Sequence, residues 1–398
     1  MRVIGLLSGV SHDAIESAAA ELKFAGDDLV LRPLGAASTP FAPGLRQAVA
    51  AVLPPGRSGA GDLCALDARL GQAFAEAAAA ADRELCAGGA ELIVSHGQTV
   101  FHWVEEGRVL GTLQLGEPAW IAERTGLPVV SNLRSRDVAA GGQGAPLVSL
   151  VDCLLLRPGT APRAALNLGG IASLTVVPPV SSTSPPLAFD AGPANALIDA
   201  AVSLVTGGAE AFDASGRRAA RGRVSGDLLA HLLADPYYRL PPPKTTGKER
   251  FNAAQLLGVL GTPPAVWGDD LVATVTVHAA EVVAGACRRH RVAELYVSGG
   301  GTRNPVLMRA LADRIPEVSI RLFDTLGIPE AAKEAYTFAV LGFLTFHGVP
   351  ATIPSCTGAA HTSLLGSITP GAVPLRLPPP AGRRPIRIKL ERPAGDAH

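Results

Sequence analysis

Short apolar runs alternate with longer stretches of helical periodicity along most of this chain. Residues 91–95, 128–131, 164–168, 172–177 and 294–298 read as strands, and 62–87 and 270–290 as helices. Strands alternating with helices predict an α/β fold. In the second helix Leu271, Val275, His278 and Val282 fall at alternating four- and three-residue spacing. That stripe marks a buried scaffold helix, with His278 as a core histidine rather than a ligand. Residues 178–186 form a polar loop inside a strand pair, and 196–204 read as helix. The small residues of 139–146 interrupt the pattern and predict a hinge near 134–144. The expected division is an N-terminal lobe, 1–135, rejoined by 350–372, a C-terminal lobe, 136–349, and a proline- and arginine-rich tail, 373–398, read as a solvated extension.

Three glycine-rich turns follow apolar runs: Val3-Ile4-Gly5-Leu6-Leu7-Ser8-Gly9, Leu166-Asn167-Leu168-Gly169-Gly170-Ile171 and Leu295-Tyr296-Val297-Ser298-Gly299-Gly300-Gly301. Glycine lets backbone N–H groups approach an anion, and a turn entering a helix adds the positive end of its dipole. Any one of them could be a turn that simply needs φ > 0. Three together point to one nucleotide held between two lobes. The first turn runs on to Asp13, whose carboxylate can hold magnesium directly or through water. No GxxxxGK[ST] run and no GxGxxG spacing occurs, which disfavours a P-loop NTPase and a dinucleotide fold.

Asp190, in Phe189-Asp190-Ala191-Gly192-Pro193-Ala194-Asn195, ends an apolar approach before a Gly-Pro turn. A carboxylate at a strand end can take a proton from an attacking hydroxyl or water. Aspartate is equally a favoured helix N-cap, and the local sequence leaves both readings open. Ser95-His96-Gly97-Gln98-Thr99-Val100-Phe101-His102 and Gly116-Glu117-Pro118 offer groups suited to a polyhydroxylated ligand. The two histidines lack a third ligand at metal spacing. Arg134 and Arg136 beside Asp137 suit a clamp on a substrate carboxylate or an ion pair.

Charge narrows the partners. With 35 Lys plus Arg against 35 Asp plus Glu, no net field recruits nucleic acid or a membrane surface. The five cysteines are scattered and never spaced as CxxC, which argues against a disulfide framework or a zinc site and suggests a reducing compartment. The chain opens on strand-like Arg2-Val3-Ile4, and no uncharged apolar run approaches the roughly 18 to 20 residues that cross a bilayer. A soluble cytoplasmic protein without a signal peptide is expected.

Taken in order, segments 5–16, 95–99, 111–118, 137–147, 166–175, 189–195, Pro243-Lys244-Thr245-Thr246-Gly247-Lys248-Glu249, 298–305 and 334–339 resemble those of the anhydro-N-acetylmuramic acid kinases, from residue 4 to about 371. The resemblance implies a two-lobed ATPase fold of the actin, hexokinase and Hsp70 kind with its active site in the interlobe cleft. It implies a homodimer, ATP with magnesium, and a small anhydro amino sugar as substrate. In that family water opens the 1,6-anhydro bridge at C1 while O6 takes the γ-phosphoryl group, giving N-acetylmuramic acid 6-phosphate in cell-wall recycling. The motif match carries the base role onto Asp190. It carries ATP binding onto Gly9, Val10, Ser11, His12, Asp13, Ala14, Ile15 and Glu16, onto Asn167, Gly169 and Gly170, and onto Gly299, Gly300 and Gly301. Substrate contacts map onto Gln98, Thr99, Arg134 and Glu334, with Arg134 a partner for the lactyl carboxylate.

Departures accompany the match. The family's GTSxDGID is here Gly9-Val10-Ser11-His12-Asp13-Ala14-Ile15-Glu16, its FDTGPGN carries Ala191 and Ala194, and Asn132 stands where aspartate is usual. Residue 10 loses a hydroxyl, and Ala14 is strained if that position needs φ > 0. Two alternatives stay open: a kinase for another 1,6-anhydro sugar such as levoglucosan, and a nucleotide-binding regulator that has lost catalysis.

Overall fold

The computed structural model describes residues 1–9, 12–54, 56–247, 250–261 and 267–391; Val10 and Ser11 of the first turn lie outside them. The chain divides into two compact units, residues 1–155 with 327–398, and residues 156–326. The small-residue run 139–146 therefore falls inside the first unit, and the return to that unit begins before residue 350.

In the first unit β1 (Arg2–Ser8), β2 (Ala14–Ala25) and β3 (Asp28–Pro40) form an antiparallel meander. Strand β4 (Leu92–Glu105) runs parallel to β1, β5 (Arg108–Leu115) folds back antiparallel on β4, and β6 (Val129–Ser131) runs parallel to β4. Helix α1 (Ala60–Leu85) packs Leu66, Leu70 and Phe74 with Ile4, Leu6 and Ile93. Helix α2 (Ser149–Leu156) follows.

The second unit repeats the plan. Strands β7 (Arg163–Leu168), β8 (Ile171–Val177) and β9 (Leu187–Pro193) form a second antiparallel meander. After α3 (Asn195–Val205) and α4 (Asp269–Arg289), β10 (Glu294–Ser298) lies parallel to β7. Helix α5 (Pro305–Arg314) leads to β11 (Ser319–Leu322), parallel to β10. Asn304 caps α5 by accepting from Val306 and Leu307 N–H, with Pro305 at the first helical position. A three-strand meander followed by two strands parallel to its first member thus occurs in both units.

Helix α4 is long and apolar enough by composition to cross a membrane, yet Leu271, Val272, Val275, Ala279 and Val283 are buried in the core of the second unit. Asp269 and Asp270 in its first turn and Arg288 and Arg289 in its last oppose its dipole favourably. His278 is fully buried, and its Nε2 lies 3.1 Å from the Tyr238 hydroxyl, as a core histidine should.

The chain then returns to the first unit. Helix α6 (Lys333–Phe346) lies on the face of β1 opposite α1, because residue parity along a strand sends Ile4 and Leu6 to one side and Gly5 to the other. A Cβ on Gly5 would collide with Ala335 O and lie 2.7 Å from Ala339 N. Gly5 is therefore a packing glycine in mid-strand, not part of a phosphate turn. Strand β12 (Ser367–Thr369) pairs antiparallel with β6, and β13 (Arg387–Leu390) pairs parallel with β3. The described tail is consequently not all solvated extension: its residues 387–390 are the outer strand of an eight-stranded sheet. Apolar Ile388, between Arg387 and Lys389, is buried there.

Candidate active site

The first two glycine turns are the β1–β2 and β7–β8 hairpin loops, so they occupy matching places in the two meanders. Neither enters a helix, contrary to the dipole argument. Only the third does, through the 3₁₀ turn Gly300–Arg303 and then α5.

Within the first turn a Cβ on Gly9 would meet nothing within 4 Å. His12 N–H donates to Gly9 O at 3.1 Å, and it is His12, at φ 41, that takes the left-handed conformation. Ala14 has no positive φ and opens β2, which removes the expected strain. Asp13 is exposed, and its carbonyl accepts from Phe41 N–H. Ile15 is buried in the core, and the Glu16 carboxylate accepts from the Ser38 hydroxyl at 2.7 Å. Those two side chains are engaged elsewhere.

Strand β4 is irregular where Ser95 to Thr99 cross it, since Leu6 pairs with Ser95 but Ser8 with Gln98. Gly97, at φ +71, makes the irregularity possible, and a Cβ there would strike Leu115 O. These residues lie within the strand, not after it. The kink turns buried Gln98 toward the first turn, where its Nε2 meets Gly9 O at 3.4 Å. Thr99 Oγ1 accepts from Gln114 at 3.2 Å.

Arg134 Nε donates to His96 Nε2 at 2.8 Å, and its Nη1 to Gly144 O at 2.7 Å. Because His96 Nε2 accepts, the ring proton sits on Nδ1, 3.0 Å from Gly97 O. Burial, with the Arg134 charge beside it, holds His96 well below the usual histidine range, so it is a neutral support. Asp137 braces the same loop by accepting from Gly144 N–H at 2.8 Å and from the Thr357 hydroxyl at 2.7 Å. Burial pushes the Arg134 guanidinium below its usual range, against the pull of Glu334, exposed in the first turn of α6, and of Asp137. Asn132 has φ +54, a conformation that asparagine tolerates, and accepts from Ser135 at 2.5 Å.

A polar pocket of about 390 Å³ opens nearby, lined in part by Ser95, His96, Gly97, Gln114, Asn132 and Ser135. Ser95 Oγ, Gln98 Oε1 and Gln114 Oε1 are buried without a hydrogen-bond partner among the described residues. Orphaned acceptors and hydroxyls suit a ligand rich in hydroxyl donors. Gln98, Thr99, Arg134 and Glu334 do not themselves line this pocket; His96 and Gly97 join the two groups.

In the second unit the second and third glycine turns meet. Ser298 pairs with Asn167, and Gly299, at φ +92, has no room for a Cβ against Asn167 and Leu168. A Cβ on Gly301 would lie 2.7 Å from Leu168 Cβ. These two glycines serve packing. Gly169 and Gly300 are open, with nothing closer than 3.6 and 3.4 Å respectively to an added Cβ. The carbonyls of Gly169 and Gly170 are drawn to the start of α3, accepting from Asn195 and Ala196 N–H at 3.1 and 2.9 Å. Asn195 Nδ2 adds a 2.8 Å bond to Gly169 O.

Asp190 lies inside β9 and does not cap α3, whose N-cap is Ala194 at φ −121. The β8–β9 register slips beside it, because Ser173 pairs with Asp190 but Ala172 with Gly192. Bulges of this kind re-aim side chains near active sites. The Ser173 hydroxyl donates to Asp190 Oδ1 at 2.5 Å and Thr246 N–H to Oδ2 at 2.9 Å. Tyr237 Oη donates to Asp190 O, and Asp190 N–H to Lys244 O, both at 2.9 Å. Ser173 and Thr246 fall in segments 166–175 and 243–249 that resemble family motifs, but nothing local in the sequence marks them, or Tyr237, for this role.

A sequence profile for anhydro-N-acetylmuramic acid kinase matches residues 1–371. Proteins of that name are similar along nearly the whole chain: one from Streptomyces coelicolor is 59% identical over 98% of this chain and 99% of its own length. One from Rhodococcus erythropolis is 53% identical over 98% and 100%. A third, from Salinibacter ruber, is 38% identical over 92% and 96%. The chain is an ATP-dependent sugar kinase and belongs to the anhydro-N-acetylmuramic acid kinase family.

Proposed function

We propose that this kinase hydrolytically opens 1,6-anhydro-N-acetylmuramic acid and phosphorylates it at O6, in the recycling of peptidoglycan sugar. The observation that carries the reading is the Asp190 carboxylate, anchored through both oxygens by Ser173 and Thr246 beside a strand bulge. A base so held can accept one proton from water as the water oxygen bonds to C1. The C1–O6 bond breaks, and O6 takes the γ-phosphoryl group of ATP as the bond to the β-phosphate oxygen breaks. The products are ADP and N-acetylmuramic acid 6-phosphate.

The open backbone at Gly9, Gly169 and Gly300 fits the approach of phosphate oxygens, while Gly299 and Gly301 hold the third turn against β7. Asp13, exposed at the first turn, would hold magnesium, which when bound neutralises charge on the transferring phosphates. Arg134, oriented by His96 and Gly144, would bind the lactyl carboxylate. Levoglucosan lacks that carboxylate, so the braced Arg134 favours the muramic sugar. Asn132 gives no support to an altered substrate, because its oxygen fills a local hydrogen bond that aspartate could also accept. The test is ADP release with ATP and magnesium, with the muramic sugar, with levoglucosan and without sugar. Turnover with the muramic sugar alone supports the reading; preference for levoglucosan, or no turnover with either, overturns it.

A further inference from the structure

Beneath the Asp190 strand lies a buried ammonium that the chemistry above does not use. Lys244 is only 9% exposed. Its Nζ donates to Tyr237 O at 2.9 Å and sits 4.3 Å from the centroid of the Tyr237 ring. Neither partner carries a formal charge, so the burial costs desolvation that a surface lysine avoids. Lys244 lines a cavity of about 150 Å³ with Phe189, Ala191, Tyr238, Glu281 and Arg289. Phe189 and Ala191 are the neighbours of Asp190 in β9.

The bonds around it form a closed circuit. Tyr237 holds the Lys244 ammonium with its carbonyl and the Asp190 carbonyl with its hydroxyl. The Lys244 carbonyl receives Asp190 N–H, and two residues on Thr246 N–H reaches Asp190 Oδ2. We propose that Lys244 is a positioning residue: by gripping Tyr237 it keeps segment 244–246 in register with β9, so that Thr246 fixes the Asp190 carboxylate. This rests on Asp190 being the base. The charged and titratable groups around the ammonium are Asp190 on β9, Tyr237 and Tyr238 on the 3₁₀ turn Pro236–Arg239, and Glu281, Arg289 and His290 on or just after α4. Burial and Arg289 push the Lys244 ammonium down to about 8, with Asp190 pulling the other way. Loss of its proton above that pH weakens the grip, so kcat falls on the alkaline side.

The experiment measures sugar-dependent ADP release by the full chain, with kcat and both KM values from about pH 6.5 to 9.5, for wild type, Lys244→Met, Lys244→Arg, Tyr237→Phe and Asp190→Asn. A 1 Å misplacement of a reacting group costs about 100-fold. We expect Lys244→Met to lower kcat by about 10- to 100-fold with both KM values within about threefold. Lys244→Arg should restore part of kcat and move the alkaline limb out of range, and Tyr237→Phe should lower kcat in the same direction. A folded Lys244→Met with wild-type kcat overturns the proposal, as does an alkaline limb that persists in it. If Lys244→Met does not fold, the other two variants decide: an unshifted limb in Lys244→Arg or wild-type kcat in Tyr237→Phe overturns the proposal. Full turnover by Asp190→Asn instead overturns the base assignment itself. An inactive Asp190→Asn beside a fully active Lys244→Met overturns only the role of Lys244.

Discussion

Replacing Ser173 with alanine removes one of the two donors that hold the Asp190 carboxylate, the 2.5 Å bond to Oδ1, and leaves Thr246 N–H on Oδ2 at 2.9 Å. A hydrogen bond to a charged group contributes about 1.5–3 kcal/mol. If that energy serves to aim the base, its loss appears in the barrier, and at 1.4 kcal/mol per decade kcat falls by about 10- to 150-fold. Neither KM should move appreciably, because Ser173 is assigned no contact with ATP or sugar. Ser173 is half-buried on β8, so folding should lose no more than about 1 kcal/mol. Ser173→Thr, which keeps a hydroxyl, should recover part of the rate. Coupled ADP release gives kcat and KM, and thermal unfolding shows that the variant is folded. A folded Ser173→Ala with kcat within about twofold of wild type, below the smallest loss the bond predicts, would show that Ser173 does not aim the Asp190 carboxylate.

Lys333 and Asp152 form an ion pair at 2.7 Å with side chains 10% and 3% exposed. Lys333→Met leaves the carboxylate unpaired and should cost about 3–5 kcal/mol, while the double variant Asp152→Leu/Lys333→Met regains most of it; chemical denaturation decides. His278 is pushed down to about 4 by burial, so its neutral form stabilises the fold fully above about pH 6.5 and that contribution drains away as pH falls toward 4. Up to about 3 kcal/mol is at stake, and His278→Gln should flatten the loss of stability between pH 7 and 5 in urea unfolding. Deleting residues 386–398 strips β13 and its Arg387–Asp28 pair from β3. The bared edge should raise light scattering on heating and lower the unfolding temperature while leaving kcat intact.

What the sequence revealed depends on how local each cause was. Strand 294–298 and helix 270–290 were readable to within a residue because their apolar residues come as an uninterrupted run and a regular stripe. Strands β2 and β3 were not, since Ala14–Ala25 is rich in alanine with charged residues among its apolar ones, and Pro33, Gly35 and Pro40 break up Asp28–Pro40. Strand β13 was hidden by the prolines and arginines before it, for only pairing with β3 explains why Ile388 is buried. The unit boundary was misplaced because small residues at 139–146 look like a hinge, whereas Asp137 and Thr357 bind that segment into the first unit. At the candidate site Asp190 stood out as a carboxylate ahead of a Gly-Pro turn. Its partner Ser173 depends on the β8–β9 register, and Thr246 acts through a backbone N–H that any residue other than proline would supply. The kink at Gly97 likewise follows from pairing with β1 and β5, which no single segment encodes.

In the proposed reaction Asp190 takes the proton of the water that opens the anhydro ring. The most direct measurement compares wild type with Asp190→Asn, following ADP release and the formation of N-acetylmuramic acid 6-phosphate by mass spectrometry, at saturating ATP and anhydro sugar. Asparagine keeps the shape of the side chain but cannot accept that proton. Asp190→Asn should fold, still bind ATP and form the 6-phosphate at least about 100-fold more slowly. A folded Asp190→Asn that forms it at the wild-type rate would show that Asp190 is not the base.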